Sequence, residues 1–319
     1  MSQTAPSAPP QITASVLRTI GRTPVVRLAK IVAPASASVL VKLEYFNPTG
    51  SYKDRMALAM IEGAEARGAL RPGMRVVEFT GGSTGGSLAM VCAAKGYRFI
   101  PVCSDAFARE KLQTMEAFGA EPVMIPSEGG KITPSLMPRL RAEAERLARE
   151  PETFYTDQFH NPDVIEGFQP LGRELLEQAG GRLDAFCGGV GTAGMLMGVS
   201  RALQAAGCAA RIVALEPSAS PFLTTGQGGA HRVEGTGMGA WPPHLQRSEY
   251  HEARAIDENA ARETARRLAR EEGIFAGTSS GMNVAAALQL AKELGPGRTV
   301  ATVAVDTGLK YLAGDLYSG

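Results

Sequence analysis

Short runs of apolar residues alternate along this chain with longer stretches in which apolar side chains recur every three or four positions. The short runs read as strands at Val39–Leu43, Arg75–Phe79, Phe99–Cys103, Pro122–Ile125, Ala185–Cys187, Ile212–Glu216 and Val300–Val305. The longer stretches predict helices over Arg55–Arg67, Leu88–Lys95, Arg109–Phe118, Thr133–Glu150, Pro162–Ala179, Met195–Ala206, Glu258–Glu272 and Met282–Leu294. In the first helix Met56, Met60, Ile61 and Ala64 share one face. Strands that alternate with helices form parallel sheets covered by helices, so the predicted fold class is α/β. Two polar stretches break the rhythm, Glu128–Gly130 and the Gly-, Pro-, Ser- and Thr-rich Pro217–His244. Long loops inside a compact domain are often functional.

Composition narrows the classes. A chain of 319 residues can bury the core of two modest domains or of one large α/β unit. Hydrophobic residues make up 44% and charged residues 20%, with a net charge of +1. That balance gives no reason to expect nucleic acid or an anionic membrane as a partner. The Arg- and Glu-rich runs Pro138–Glu150 and Glu252–Glu272 mix signs at helical spacing and read as solvated helix faces. Cys92, Cys103, Cys187 and Cys208 sit in apolar stretches without a CxxC pair and read as buried reduced thiols. His160, His231, His244 and His251 are scattered, so no metal site is expected. The first fourteen residues, rich in Ala, Pro, Ser and Thr, read as a flexible tail without the apolar core of a signal peptide. No apolar stretch is long enough to cross a bilayer, and a cytoplasmic location is expected.

Ligands of open α/β sheets bind where strands end and helices begin. Four such turns stand out. In Asn47–Arg55 (NPTGSYKDR), Ser51 reads as an N-cap, which puts Lys53 in the first helical turn. The helix dipole there favours a neutral amine, the form that attacks a carbonyl; a solvated surface lysine is the simpler alternative. Thr80–Ser87 (TGGSTGGS) offers hydroxyls and backbone N–H groups for an anion, or else a tight turn of small residues for close packing. Gly188–Gly194 (GGVGTAG) suits a phosphate and contains the GxGxxG spacing at Gly189, Gly191 and Gly194, with Glu216 at the end of the next strand. That pattern keeps a nicotinamide enzyme in play. Gly277–Gly281 (GTSSG) is a capping turn or a place to aim a hydroxyl at a ring nitrogen.

Taken together, these segments resemble the cysteine synthase and cystathionine beta-synthase family of fold type II pyridoxal-phosphate enzymes. The likeness runs from Ile20–Leu28 (IGRTPVVRL) to Asp306–Leu312 (DTGLKYL). It implies that Lys53 is the catalytic lysine and binds pyridoxal 5'-phosphate as a Schiff base. Gly191, Thr192, Ala193, Gly194 and Met195 match the family's phosphate loop, usually GTGGT, with Ala193 and Met195 as departures. Ser279 matches the serine that meets the pyridine nitrogen. Thr80, Gly81, Gly82, Ser83 and Thr84 match the substrate-carboxylate loop, usually TSGNT, with Gly81 in place of serine and Ser83 in place of the asparagine that bonds the cofactor's phenolic oxygen. Gln158 matches a second carboxylate contact, and Glu234–Gly239 resembles a mobile glycine loop.

The resemblance further implies two α/β domains with mostly parallel sheets, in the tryptophan synthase beta-like arrangement. Residues 45–154 would form a smaller mobile domain, and residues 15–44 with 155–319 a larger cofactor-binding domain. A homodimer acting on a small amino acid is implied, without nucleic acid, membrane or metal. The implied reaction is β-replacement on an O-activated serine, in the leading case O-acetylserine plus sulfide giving cysteine and acetate. Open beside it stand another nucleophile, cystathionine beta-synthase, a serine or threonine dehydratase, and a non-catalytic pyridoxal-phosphate-binding protein.

Overall fold

A computed structural model describes residues 12–133 and 135–318; residues 1–11 of the expected tail lie outside the described residues. Two sheets organise the chain. Its elements run β1 (Val25–Arg27), β2 (Ser38–Leu43), α1 (Lys53–Ala66), β3 (Arg75–Phe79), α2 (Ser83–Lys95), β4 (Arg98–Ser104), α3 (Arg109–Ala117), β5 (Val123–Ile125), α4 (Leu136–Ala148) and β6 (Thr153–Tyr155). They continue with α5 (Asp163–Gln178), β7 (Ala185–Gly189), α6 (Gly194–Ala205), β8 (Arg211–Pro217), α7 (Phe222–Thr225), β9 (Glu252–Ile256), α8 (Glu258–Arg267), α9 (Thr278–Leu294) and β10 (Thr299–Ala304). The smaller sheet has the order β5-β4-β3-β6 and is parallel throughout, with Val77 opposite both Ile100 and Tyr155. The larger has the order β1-β2-β10-β7-β8-β9; all its pairs are parallel except β1 with β2. One core cluster joins them, from Val76 and Phe99 through Met56, Met60 and Phe168 on α1 and α5 to Phe186 and Ala301.

Departures from the sequence reading have local causes. The strands β1 and β6 hold three residues each, too few to show a period. The charged run from Glu252 does not begin as a helix face: Glu252–Ile256 is an edge strand paired only with β8, and an edge tolerates the charges Glu252 and Arg254. Helices α2 and α9 begin about a turn earlier than predicted, because the glycines and hydroxyls read as loop form their first turns. All four cysteines are free, and Cys92, Cys103 and Cys187 are buried while Cys208 is half-buried.

The glycines of the second turn have a packing role. A Cβ on Gly81 would lie 2.1 Å from the Phe107 ring, and one on Gly85 would lie 2.2 Å from Met115 Sδ. The start of α2 is therefore a shallow bed for α3 and the loop before it. Gly81→Ser is expected to cost about 1–3 kcal/mol of stability by overpacking, and Phe107→Ala in the same chain to restore most of it. Urea unfolding of the two single variants and the pair checks this; additive losses would remove the close contact.

A buried ionic cluster fixes the entry to α1. Arg55 Nε and Nη2 donate to the two oxygens of the fully buried Glu44 at 2.7 and 2.9 Å. Its Nη1 and Nη2 also reach Glu174 on α5, both at 2.8 Å. Lys42, itself fully buried, lies 2.9 Å from Glu174 and donates to Thr23 O and Gln178 Oε1 at 2.8 Å. Burial holds the Lys42 ammonium below its ordinary pKa, while its cationic neighbours outweigh burial at Glu174 and bring that carboxyl down to about 2.

Candidate active site

Lys53 is the first residue of α1. The preceding loop is pinned to the end of β10: Tyr52 N donates to Val305 O at 3.1 Å, and Ser51 forms a bridge with Asp306. Ser51 Oγ accepts the Lys53 amide at 3.2 Å, close to the capping role expected of it. Lys53 Nζ reaches Met56 Sδ at 3.5 Å and lies 5.0 Å from the centre of the Tyr52 ring. Burial among these apolar groups lowers its pKa to about 8, against the through-space pull of Asp306 and Glu78. At neutral pH an appreciable fraction is thus the free amine.

The Thr80–Thr84 turn lies at the end of β3. Thr84 Oγ1 donates to Gln158 Oε1 at 2.9 Å, and both residues are buried. The Gln158 side chain also bonds Phe79 O at 3.4 Å, and His244 Nε2 lies 3.1 Å from the Gln158 carbonyl. Ser83 Oγ donates to Asp306 Oδ2 at 2.7 Å and accepts from Lys310 Nζ at 3.2 Å. The other Asp306 oxygen is buried without a hydrogen-bond partner. Gly82 has open space where a Cβ would stand.

Behind this turn sits Glu78, which sequence reasoning missed. It is fully buried; Oε2 accepts from Thr156 Oγ1 at 2.6 Å and Gln158 N at 3.0 Å, while Oε1 has no partner. Burial raises its pKa from 4.5 to about 7. The folded protein therefore binds a proton that the unfolded chain releases between those values. This contribution to stability is complete below the lower value and is lost as pH rises to the upper one. Glu78→Gln is expected to match the parent protein near pH 4 and to exceed it by about 3 kcal/mol above pH 7. Urea midpoints across that range test the sign; a gain confined to acid would refute it.

The third turn begins as β7 ends. Ala193 has a left-handed backbone (φ 68°), and Gly194 opens α6 with its amide 3.4 Å from Thr192 Oγ1. A Cβ on Gly191 would stand 2.1 Å from Gly235 O, so the glycine loop rests directly on this turn. The first amides of α6 face an N-terminus fit for a phosphate. Met195 is buried with its methyl group where a Gly188 side chain would be, so what it offers the turn is its amide. Asn283 ties this turn to α9 by accepting from Gly189 N at 2.8 Å and donating to Val303 O at 3.0 Å. Ser279 is buried in the first turn of α9, next to Ser280, whose hydroxyl accepts the Val305 amide at 2.8 Å.

Glu216 does not serve a dinucleotide. Its oxygens accept from Leu223 N, Thr224 N and Thr224 Oγ1 at 2.6, 3.0 and 2.7 Å, and so cap α7. The GxGxxG spacing therefore lacks a free acid for a ribose. Among the described residues no group of three or more metal-ligating side chains occurs, and no helix is long and apolar enough to cross a membrane.

Three of the four turns converge on the end of β10, through Val305 and Asp306. A buried amine of lowered pKa, a helix N-terminus, and a short hydroxyl on a third element suit a phosphorylated aromatic aldehyde. Comparison with known proteins agrees. The chain is 44% identical to a cysteine synthase of Staphylococcus aureus over 95% of its length and 97% of that protein's. It is 42% identical to an O-ureido-L-serine synthase of Streptomyces lavendulae, over 96% of this chain and 93% of the other. The crystal structure of a cysteine synthase from Entamoeba histolytica superposes with a TM-score of 0.91 at 32% identity, covering 100% of this chain and 95% of that one. Its neighbours make the architecture that of fold type II pyridoxal-phosphate enzymes. Residues 16–306 match the family described as pyridoxal-phosphate dependent enzyme, and the chain belongs to that family.

Proposed function

We propose that this chain is a cysteine synthase, replacing the acetate of O-acetylserine with sulfide. The observation that carries the reading is the buried Lys53 at the helix start, its pKa lowered to about 8, on a loop joined through Ser51 and Asp306 to the turn at Ser83. Its relatives named cysteine synthase support the choice of reaction. Pyridoxal phosphate, when bound, supplies an electron sink for the α-carbon of the amino acid.

The chain's own residues do the rest. Lys53 would hold the cofactor covalently, and its Nζ is the group that would accept the α-proton of the amino acid. The amides of Gly191, Thr192, Ala193, Gly194 and Met195 bind the phosphate. Ser279 meets the ring nitrogen with a hydroxyl, which does not keep that nitrogen protonated as a carboxylate would. This restrains the electron sink and favours loss of a β-substituent over transamination. Thr80, Gly81, Gly82, Ser83 and Thr84, with Gln158, would bind the substrate carboxylate, and Ser83 is the residue that would bond the cofactor's phenolic oxygen. We assign residues 45–154 and the remainder as the two domains that close on substrate, supported by the confinement of the smaller sheet's first three strands to that span. A cytoplasmic homodimer completes the reading.

A second reading is β-replacement with a different nucleophile. It is favoured by the aromatic ring seated on Gly81 and by the O-ureido-L-serine synthase relative. An absorbance titration separates the two. O-acetylserine should shift the visible cofactor band, and sulfide should restore it with release of cysteine. A shift that sulfide leaves in place supports the second reading, and no shift removes both.

A further inference from the structure

One cation near the site has no part in the reaction described above. Lys111 lies in the first turn of α3, four residues after Phe107. Its side chain is only 11% exposed. Its Nζ lies 5.5 Å from the centre of the Tyr311 ring and pairs with Glu234 Oε2, at the head of the glycine loop. Tyr311 Oη is in turn 3.5 Å from Asp306 Oδ2, the atom that accepts from Ser83. Lys111 is therefore linked to the substrate turn through the Tyr311 ring and Asp306.

The ion pair is lopsided. Glu234 is 51% exposed and heads a loop containing Gly235, Gly237 and Gly239, all three with positive φ. Released from Lys111, its carboxylate is hydrated where it stands. The lysine is enclosed, and without an anion it would be a cation largely cut off from water. An acid entering from solvent can thus replace Glu234 at small cost, whereas Lys111 keeps the demand for a negative charge.

We propose that Lys111 is a substrate-binding residue that selects nucleophiles carrying an acidic group, whose carboxylate displaces Glu234. This rests on the β-replacement reading, and the chemical class is a small thiol or amine with a carboxylate at its far end. Sulfide has no such group and does not use the contact.

Two measurements on the holoenzyme test it. With O-acetylserine as co-substrate, kcat/KM is compared for mercaptoacetate and 2-mercaptoethanol, which differ by the acid. The expected ratio falls about tenfold in Lys111→Gln, the worth of one charged contact, and rises in Glu234→Gln, where the competitor is gone. The ratio cancels any general loss of activity in the variants. An unchanged ratio in Lys111→Gln overturns the proposal. The second measurement needs no turnover: hydrogen exchange of the peptide spanning Glu234–Gly239, with methoxyacetate or 2-methoxyethanol at matched ionic strength. The acid alone should speed exchange in the parent protein, and Lys111→Gln should exchange fast without it. An acid effect that persists equally in Lys111→Gln, or is absent from the parent, overturns the assignment even if O-acetylserine proves not to be a substrate.

Discussion

Lys53→Ala is expected to give a folded protein without the cofactor's visible absorbance and with β-replacement slowed by at least about a thousandfold. Removing the side chain deletes both the covalent anchor and the base, and no second lysine stands at the start of α1. The fold should survive, because the Lys53 amine has only a long contact to Met56 Sδ and no ion pair whose partner would be left buried. A pH dependence accompanies this. Covalent attachment needs the neutral amine, so uptake of pyridoxal phosphate by the cofactor-free protein should rise with pH and level off above about 8. Flat uptake through that range, or a Lys53→Ala protein that keeps its band, would move the anchor elsewhere.

Arg55→Met should have the largest effect on stability, about 3–5 kcal/mol. Arg55 is buried and makes four hydrogen bonds, two to Glu44 and two to Glu174, and its loss strands the fully buried Glu44. Glu174→Gln should cost less, since the side chain at 174 retains 19% exposure and water can reach it. Urea midpoints measure both; equal losses would mean that the cluster acts as one unit rather than through the stranded carboxylate. Arg55 lies two residues beyond Lys53 and binds segments from β2 to α5, so its loss should also broaden the cofactor band of whatever protein remains folded.

How far the sequence carried can be seen in single elements. Arg75–Phe79 is a strand with the predicted bounds, because Val76, Val77 and Phe79, two of them β-branched, stand just before a glycine-rich stretch and leave little choice. The turns that face the site were legible for a similar reason: each leads into a helix and is dense in glycine and hydroxyls. Illegible were the partners. Ser83 bonds Asp306 across 223 positions, and Gln158 takes its position from Glu78 across 80. No local pattern announces such pairs, and Glu78 reads simply as a polar break in an apolar strand. The stretch Ser83–Ser87 looked like loop because glycine is a poor helix former, yet the space Gly85 leaves for Met115 outweighs that propensity. Lys111 shows the same limit, since nothing in the predicted helix Arg109–Phe118 marks it out and only the fold encloses it.

The position of β10 has a consequence for synthesis. It is the last strand in chain order, yet it lies between β2 and β7 in the larger sheet. While the chain is still emerging from the ribosome, β2 and β7 have no strand between them, and Asp306 is not yet present to receive Ser51 and Ser83. The nascent protein can therefore complete the smaller sheet early, but it gains a working site only once β10 has emerged. Until then it presents two unpaired strand edges, which is the interval in which a chaperone would have most to protect.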